Sequence, residues 1–390
     1  MFLSLAGVSA REAAYYQKEL SPGASRVLMA MQECSRQGQY EKGLQQFRAY
    51  TSGSKSKAPV LLNFMAANLD FQLGQFGAAA QLYRLVVAAA PDFNVVYENL
   101  GMALMMAEQY KDAAEILLQA AALLPEKETQ LKYQAAVAYL YGEDFIKARA
   151  LLLALVSGLK PAPADWLKAL LQVHWRLEQT REALAVAARL VDSYPEEIEH
   201  WRLYGQIALA AQAYETALSA YKVIEAAGRM TPAESRLLAG IYQQLQLPAA
   251  AAQAWERVFA QVQPTRPELL TLIALYQQSG QIDNALKTLD RLEKIEPAPD
   301  PDNTLAFRRA QILYRGGRYQ EAYPLLTKIK KLNEDDGYQF LLAGYCAWNE
   351  NDFSGAAAAW RKAAAYAAWR ERSLNLLQSL KPWLEPATAG

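Results

Sequence analysis

Few residues of this chain are of the types that do chemistry on their own. His174 and His200 are its two histidines, and each could act as a general base or a metal ligand. Cys34 and Cys346 are its two cysteines, with thiols that could act as nucleophiles or ligands. Spacing argues against most of these roles. A histidine-based helical metal site needs a second strong ligand three or four residues away on the same face, and neither histidine has another histidine or a cysteine there. The cysteines lie near opposite ends of the chain and make no disulfide framework, so they read as buried free thiols. There is no CxxC, no HExxH, no GxSxG elbow and no Walker-type phosphate loop. An acid–base site on His174 or His200 would require a nucleophile and an orienting group, and none can be named. Each histidine instead stands beside a tryptophan, Trp175 or Trp201, within a helical pattern. The acidic pairs Glu196-Glu197 and Asp335-Asp336 fall at helix starts or junctions, where a carboxylate offsets the helix dipole. The chain reads as a non-enzyme with no metal, no cofactor and no small-molecule substrate.

Composition narrows the remaining classes. With 52% hydrophobic and 21% charged residues, 390 residues can build an ordered core and are too apolar for disorder. The formal net charge of zero supplies no field toward nucleic acid or anionic lipid. No run of about 18 apolar residues is present, so no membrane span is expected. The start, MFLSLAGVSA, is apolar and ends in small residues, like the tail of a secretory signal cut after Val8-Ser9-Ala10. It lacks a basic n-region and a full apolar stretch. Either the true start lies upstream of Met1, or this is the beginning of a helix.

The elements that would position any site are legible in one stretch, Asn94 to Pro125. Tyr97, Leu100 and Leu104 recur at three- and four-residue spacing around the small Gly101, and an AEQY turn ends at Tyr110. A second run carries Ala113, Leu117 and Ala120 and stops at Pro125. Both runs have the period of a helix with one buried face, and the small residues let the two helices approach closely. Similar hairpins begin near Ala24, Val60, Thr129, Ala164, Ile198, Pro232, Arg266, Asn303 and Gly337. The repeat of about 34 residues resembles the tetratricopeptide pattern.

That resemblance implies an all-α fold, a right-handed superhelical solenoid of about ten hairpins in which each unit buries its apolar face on its neighbours. Trp369 to Leu384 reads as a C-terminal capping helix, ending at Pro386. The expected organisation is an N-terminal segment 1–23, a solenoid 24–368 and a cap with a short tail 369–390. The proline-rich link from Glu296 to Asn303 is expected to be a bend within one solenoid.

Positions 2, 5, 9, 12 and 13 of each first helix share an arc of roughly 100°, and in the family this arc lines the concave groove. In the early units it places Phe64, Phe71, Met102, Met105, Met106, Tyr133 and Tyr141 there. Such an apolar, methionine-rich surface suits a partner's apolar or helical segment; the alternative is that these residues fill one another. The middle units place Lys168, Arg202 and Arg236 there with Gln172, Trp175, Arg176, Gln206, Gln243 and Gln244, a mildly basic, amide-rich wall able to take acidic groups or simply solvated. Tyr314, Tyr345 and Trp348, with Phe307 and Arg315, form a second aromatic wall. No three successive units supply the Lys and Asn clamp with which some relatives grip chaperone tails.

The stretch from Trp166 to Trp255 and the run LLAGYCAWNENDFSGAAAAWRKAA (Leu341 to Ala364) are similar to the long tetratricopeptide proteins of proteobacterial Ton-system operons. That similarity implies an exported, periplasmic, non-enzymatic accessory of an ExbB/ExbD/TonB-type energy-transducing complex. The expected partners are proteins or peptides. Open alternatives are an assembly factor for polysaccharide or pilus export, or a cytosolic adaptor.

Overall fold

The computed structural model describes residues 20–53, 57–295, 304–329 and 336–384. The N-terminal segment through Glu19 with Val8-Ser9-Ala10, the link from Glu296 to Asn303, Asp335 and Pro386 lie outside the described residues. Among the described residues the fold is all-helical, with no strand. The chain divides into two compact units, residues 1–213 and 214–390.

Unit 1 contains α1 (Pro22–Arg36), α2 (Tyr40–Ser52), α3 (Val60–Gln72), α4 (Phe76–Ala89), α5 (Val95–Met106), α6 (Tyr110–Leu123), α7 (Glu128–Tyr141), α8 (Phe145–Ser157), α9 (Ala164–Arg176), α10 (Thr180–Ser193) and α11 (Ile198–Ala210). Unit 2 contains α12 (Tyr214–Ala226), α13 (Pro232–Gln244), α14 (Pro248–Phe259), α15 (Arg266–Gln278), α16 (Ile282–Ile295), α17 (Thr304–Arg315), α18 (Tyr319–Lys328), α19 (Asp336–Asn349), α20 (Phe353–Ala363) and α21 (Arg370–Leu384). Within each unit every helix packs on the next in chain order, the arrangement of stacked hairpins. The expected first helices begin within about two residues of their observed starts, well inside ordinary boundary scatter.

Start signals are chemical. Ser21 Oγ accepts from the Ala24 N–H at 3.2 Å. Thr231 and Glu234 form a reciprocal capping box before α13, and prolines open α13 and α14. The tight turns inside the hairpins share one device. The residue after the next places its N–H on a carbonyl five positions back: Gln109 on Leu104 at 2.8 Å, Asp144 on Tyr139 at 2.9 Å, Gln179 on His174 at 2.9 Å. This Schellman-type closure requires a left-handed residue just before it. Gly38, Gly74, Gly280 and Gly317 fill that role. In the hairpins between them it falls to Glu108, Glu143, Glu178, Gln212 and Gln246, with φ between 55 and 60°, and later to Asn351.

The core is a run of small and large partners. Leu117 of α6 is fully buried against Gly101 of α5, and an added Cβ on that glycine would come within 2.6 Å of the leucine. A buried leucine of this kind contributes about 1.5–3 kcal/mol. Polar staples tie successive hairpins: Arg84 to Asp112 at 2.6 Å, Arg291 to Glu256 at 3.0 Å and Arg318 to Asp283 at 2.8 Å. These side chains are substantially exposed, so each is worth about 0–1 kcal/mol and packing dominates. The cap α21 buries Ser373 and Leu380; its exposed side mixes Glu371, Asn375, Gln378 and Lys381 with Leu374, Trp383 and Leu384.

Candidate partner-binding site

On the first helices of unit 1 the exposure of the expected groove positions changes from helix to helix. Residues Leu61 to Asp70 of α3 are all buried. Phe64 is 2% exposed, with ring centroids 6.0 Å from Tyr83 and 5.1 Å from Phe93. Its assignment to an open groove is therefore corrected: an aromatic at that position turns inward to fill the space between α4 and the link after it. Phe71 is half-buried edge-on against Phe76 at 5.1 Å. Asn68 lies beneath Tyr83, whose hydroxyl donates to Asn68 Oδ1 at 2.5 Å. Asp70 is 5% exposed, and burial pushes its carboxyl above the usual carboxylate range, partly opposed by the Arg48 charge.

From α5 onward the face opens. Met102 and Met105 are half-buried, while Met106, at the end of α5, is 51% exposed. Tyr141 ends α7, is 58% exposed and stacks on Tyr110 at 5.7 Å. Trp175, near the end of α9, is 50% exposed. Tyr133 is half-buried and stacked on Trp166 at 5.5 Å. Burial first, then the Asp165 charge, raises the tendency of the Tyr133 hydroxyl to stay protonated.

The cations of the middle helices are not a free basic wall. Lys168 lies 3.9 Å from Asp165, Arg176 lies 3.2 Å from Glu143, and Arg202 pairs with Glu199. Arg176 also covers the Phe145 ring at 5.2 Å. In unit 2, Arg236 Nε donates to Glu268 Oε1 at 2.8 Å. Glu268 is partly buried, which alone would raise its pKa. The Thr265 N–H at 2.8 Å and Arg236 outweigh that and hold it below the usual range. Asp165 and Glu199 lie three residues before their cations on the same helix, whereas Glu143 and Glu268 come from other hairpins, where spacing along the sequence does not show them. The expected attraction for acidic ligands is thus internally offset.

The second aromatic wall, also in unit 2, is largely occupied by its own cap. Tyr314 and Tyr345 have centroids 6.5 Å apart. Arg372 Nε of α21 donates to the Tyr345 hydroxyl at 3.1 Å, and Trp383 lies edge-on to Trp348 at 6.2 Å. Trp360, 2% exposed, donates its Nε1–H to Leu341 O at 3.2 Å between them.

The residues with chemistry of their own are built into the packing. His174 is buried with Nδ1 2.8 Å from Gln179 Oε1, and His200 is buried edge-on to Tyr194 at 5.8 Å. Cys34 and Cys346 are free and buried, and burial pushes the Cys346 thiol up to about 12. Among the described residues no three His, Cys, Asp or Glu could hold a metal ion, and no helix is long and apolar enough to cross a membrane.

Of the residues that the groove spacing placed together, Met106, Tyr141 and Trp175 stand at the C-terminal ends of α5, α7 and α9. The spacing missed Gln246 and Gln278, which join Gln243 around one cavity of unit 2.

Residues 64–128, 168–229 and 270–336 match the tetratricopeptide repeat family model. No curated protein matches the chain. Among solved structures, a tetratricopeptide repeat protein from Parabacteroides merdae is 17% identical over 65% of this chain and 99% of its own, with a TM-score of 0.33. A chain in the structure of Naa15/Naa10 bound to HypK-THB is 13% identical, covers 97% of this chain and 66% of its own length, and has a TM-score of 0.50. The crystal structure of MamA protein gives 14% identity over 44% of this chain and 93% of its own, with a TM-score of 0.35. At these identities the likeness concerns the fold.

Proposed function

We propose that this chain, a member of the tetratricopeptide repeat superfamily, is a non-enzymatic scaffold that holds a partner protein segment on the first-helix face of unit 1. One observation carries the reading: Met106, Tyr141 and Trp175, each at least half exposed, stand at the same end of three successive first helices. Met106 and Tyr141 stand two residues before the left-handed turn residues Glu108 and Glu143, and Trp175 three before Glu178, with Arg176 at the equivalent position. Exposed apolar side chains gathered at one end of neighbouring helices are of the kind that marks an interaction surface, whereas single ones need no explanation. Trp and Tyr supply contact area at little entropic cost, and Met repacks around its ligand. The paired charges beside them favour a partner whose contact side is apolar over one that is strongly acidic.

The finer reading makes the chain a cell-envelope accessory of a Ton-type energy-transducing complex, exported to the periplasm. Its support is the similarity of the Trp166–Trp255 and Leu341–Ala364 stretches to that group. Polysaccharide or pilus export assembly and a cytosolic adaptor role are the alternatives.

The test is affinity capture from the native organism with the parent chain and a Met106→Asp/Trp175→Ala variant, checked for folding by circular dichroism. Partners that bind the parent and are lost with the variant support the face. Equal recovery by both overturns it. Whether the captured proteins belong to an energy-transducing or an export complex, and whether the mature chain is found in the periplasm, decide the finer reading.

A further inference from the structure

Unit 2 holds an open cleft of about 700 Å3 between two second helices, α16 and α18. The first helix α17 reaches it only through Arg309 and Leu313, one turn apart and away from the groove positions Phe307, Tyr314 and Arg315. The floor is apolar, made by Leu286, Leu313, Pro324 and Leu325. The rim is charged. Arg309 holds two carboxylates, Asp290 at 2.6 Å and Glu293 at 2.9 Å. Arg318 also holds two, Asp283 at 2.8 Å and Glu321 at 2.6 Å. Lys287, exposed on α16, has no ion pair or hydrogen bond among the described residues. Four carboxylates therefore meet three cations here, and the side chains of Asp283, Asp290 and Glu321 are each more than half exposed. Pro324 adds one more acceptor. It stands inside α18 and has no N–H, so Gln320 O, one turn earlier, lacks its helical donor, and both residues border the cleft.

Acceptors are thus in excess over donors, and the ligand that matches them is rich in donors. An ionised carboxylate has about four acceptor sites, more than one shared arginine can fill. An anion would face four carboxylates for the sake of one lysine. A metal ion is set aside by geometry, since among the described residues no three His, Cys, Asp or Glu stand close enough to hold one. A guanidinium presents five N–H donors in a planar fork shaped for carboxylates, and its methylene stem can lie along an apolar floor. The cleft volume lies within the range of ligand pockets, enough for an arginine and a neighbouring side chain. We propose that this cleft docks a partner protein segment that carries an arginine beside an aliphatic residue. The guanidinium lies against the carboxylate rim, and the aliphatic side chain sits on Leu286, Leu313 and Leu325. The site is independent of the unit 1 face.

The probe is N-acetyl-leucyl-argininamide, whose only charge is the guanidinium. It is titrated into the full chain labelled with 13C-methyl leucine, and the Leu286 and Leu325 signals are assigned by single Leu→Ile exchange. The expected result is saturable movement of both signals with a Kd in the low millimolar range. N-acetyl-leucyl-glutaminamide, which lacks the charge, should bind about tenfold more weakly. Lys287→Glu, at an exposed position without a partner, should tighten binding several-fold. Asp283→Asn/Glu321→Gln, which leaves Arg318 without a counter-charge, should weaken it by at least as much. Unmoved signals at about 50 mM probe, equal binding of the glutamine peptide, or weaker binding by Lys287→Glu would overturn the proposal. So would spermidine binding as tightly as the peptide, since it carries charge without a side chain for the floor. The Met106→Asp/Trp175→Ala variant leaves this cleft intact and should bind the probe as the parent does, which separates failure here from failure of the unit 1 face.

Discussion

Glycine-to-alanine exchange at two helical positions of unit 2 should move stability in opposite directions. Gly240 lies within α13 and Gly344 within α19. At Gly240 an added Cβ meets nothing within 4 Å, so alanine there removes only glycine's extra unfolded-state freedom. The gain should be about 0.5–1 kcal/mol. At Gly344 the Cβ would overlap the Trp360 indole, with Cε2 at 2.7 Å and Nε1 and Cδ1 nearer still. The indole cannot withdraw cheaply, because it is 2% exposed, bonded to Leu341 O, and flanked by Tyr345 at 5.6 Å and Trp348 at 6.1 Å. Overpacking costs about 1–3 kcal/mol, and displacing the indole would leave a buried donor and acceptor unpaired for about 1–3 more. After the helical gain is subtracted, Gly344→Ala should lose about 1–5 kcal/mol. Urea unfolding followed by circular dichroism reads both as midpoint shifts at unchanged slope. In a Trp360→Ala background, where no ring is left to meet the added methyl, the cost of Gly344→Ala should fall below about 1 kcal/mol. A stable Gly344→Ala, or an undiminished cost in the Trp360→Ala background, would refute the steric reasoning.

Three further outcomes are expected. Asp70 has a folded pKa above its unfolded value, so the folded chain binds that proton more tightly and stability falls as pH rises through this window; Asp70→Asn should therefore raise the urea midpoint at pH 7 and lose its advantage below about pH 4. Glu268 is shifted the other way, so its contribution is present above the ordinary carboxylate range and lost as pH falls through the lower folded value. Thr265→Ala should remove the hydroxyl bond of 2.9 Å at the start of α15 and cost about 1 kcal/mol near neutral pH, measured by thermal unfolding. Cys346, fully buried with its thiol raised to about 12, should resist iodoacetamide at pH 8 in the native chain and react on unfolding, read by mass spectrometry.

The hairpins were legible because their signal is local. Period, small residues at close approaches and turn chemistry all lie within a few residues of one another, as from Tyr97 to Ala113. Direction and pairing are not local. Phe64 and Met106 both sit at groove positions by spacing, yet one is sealed by Tyr83 and Phe93 and the other faces water. Nothing within a few residues of Phe64 announces Phe93. Arg176 and Arg236 read as free cations because Glu143 and Glu268 lie about one repeat away in the sequence. The Tyr345 and Trp348 wall reads as open because its cover, Arg372 and Trp383, belongs to the cap. The amide cavity was half visible, since Gln243 stood out while Gln246 and Leu247 looked like ordinary turn residues.

The turns that hold Glu108, Glu143, Glu178, Gln212, Gln246 and Asn351 at positive φ carry a consequence of chirality. At these positions the backbone hydrogen bonds impose a conformation natural to the mirror-image amino acid. Glu178 is the clearest case: its own N–H reaches Trp175 O at 3.1 Å, and the next N–H reaches His174 O at 2.9 Å. A D-glutamate placed there by chemical ligation should fit without strain and stabilise the turn by about 1 kcal/mol, whereas the same inversion one turn earlier in α9 should break the helix. Handedness at that single α-carbon is opposed by the fold that surrounds it.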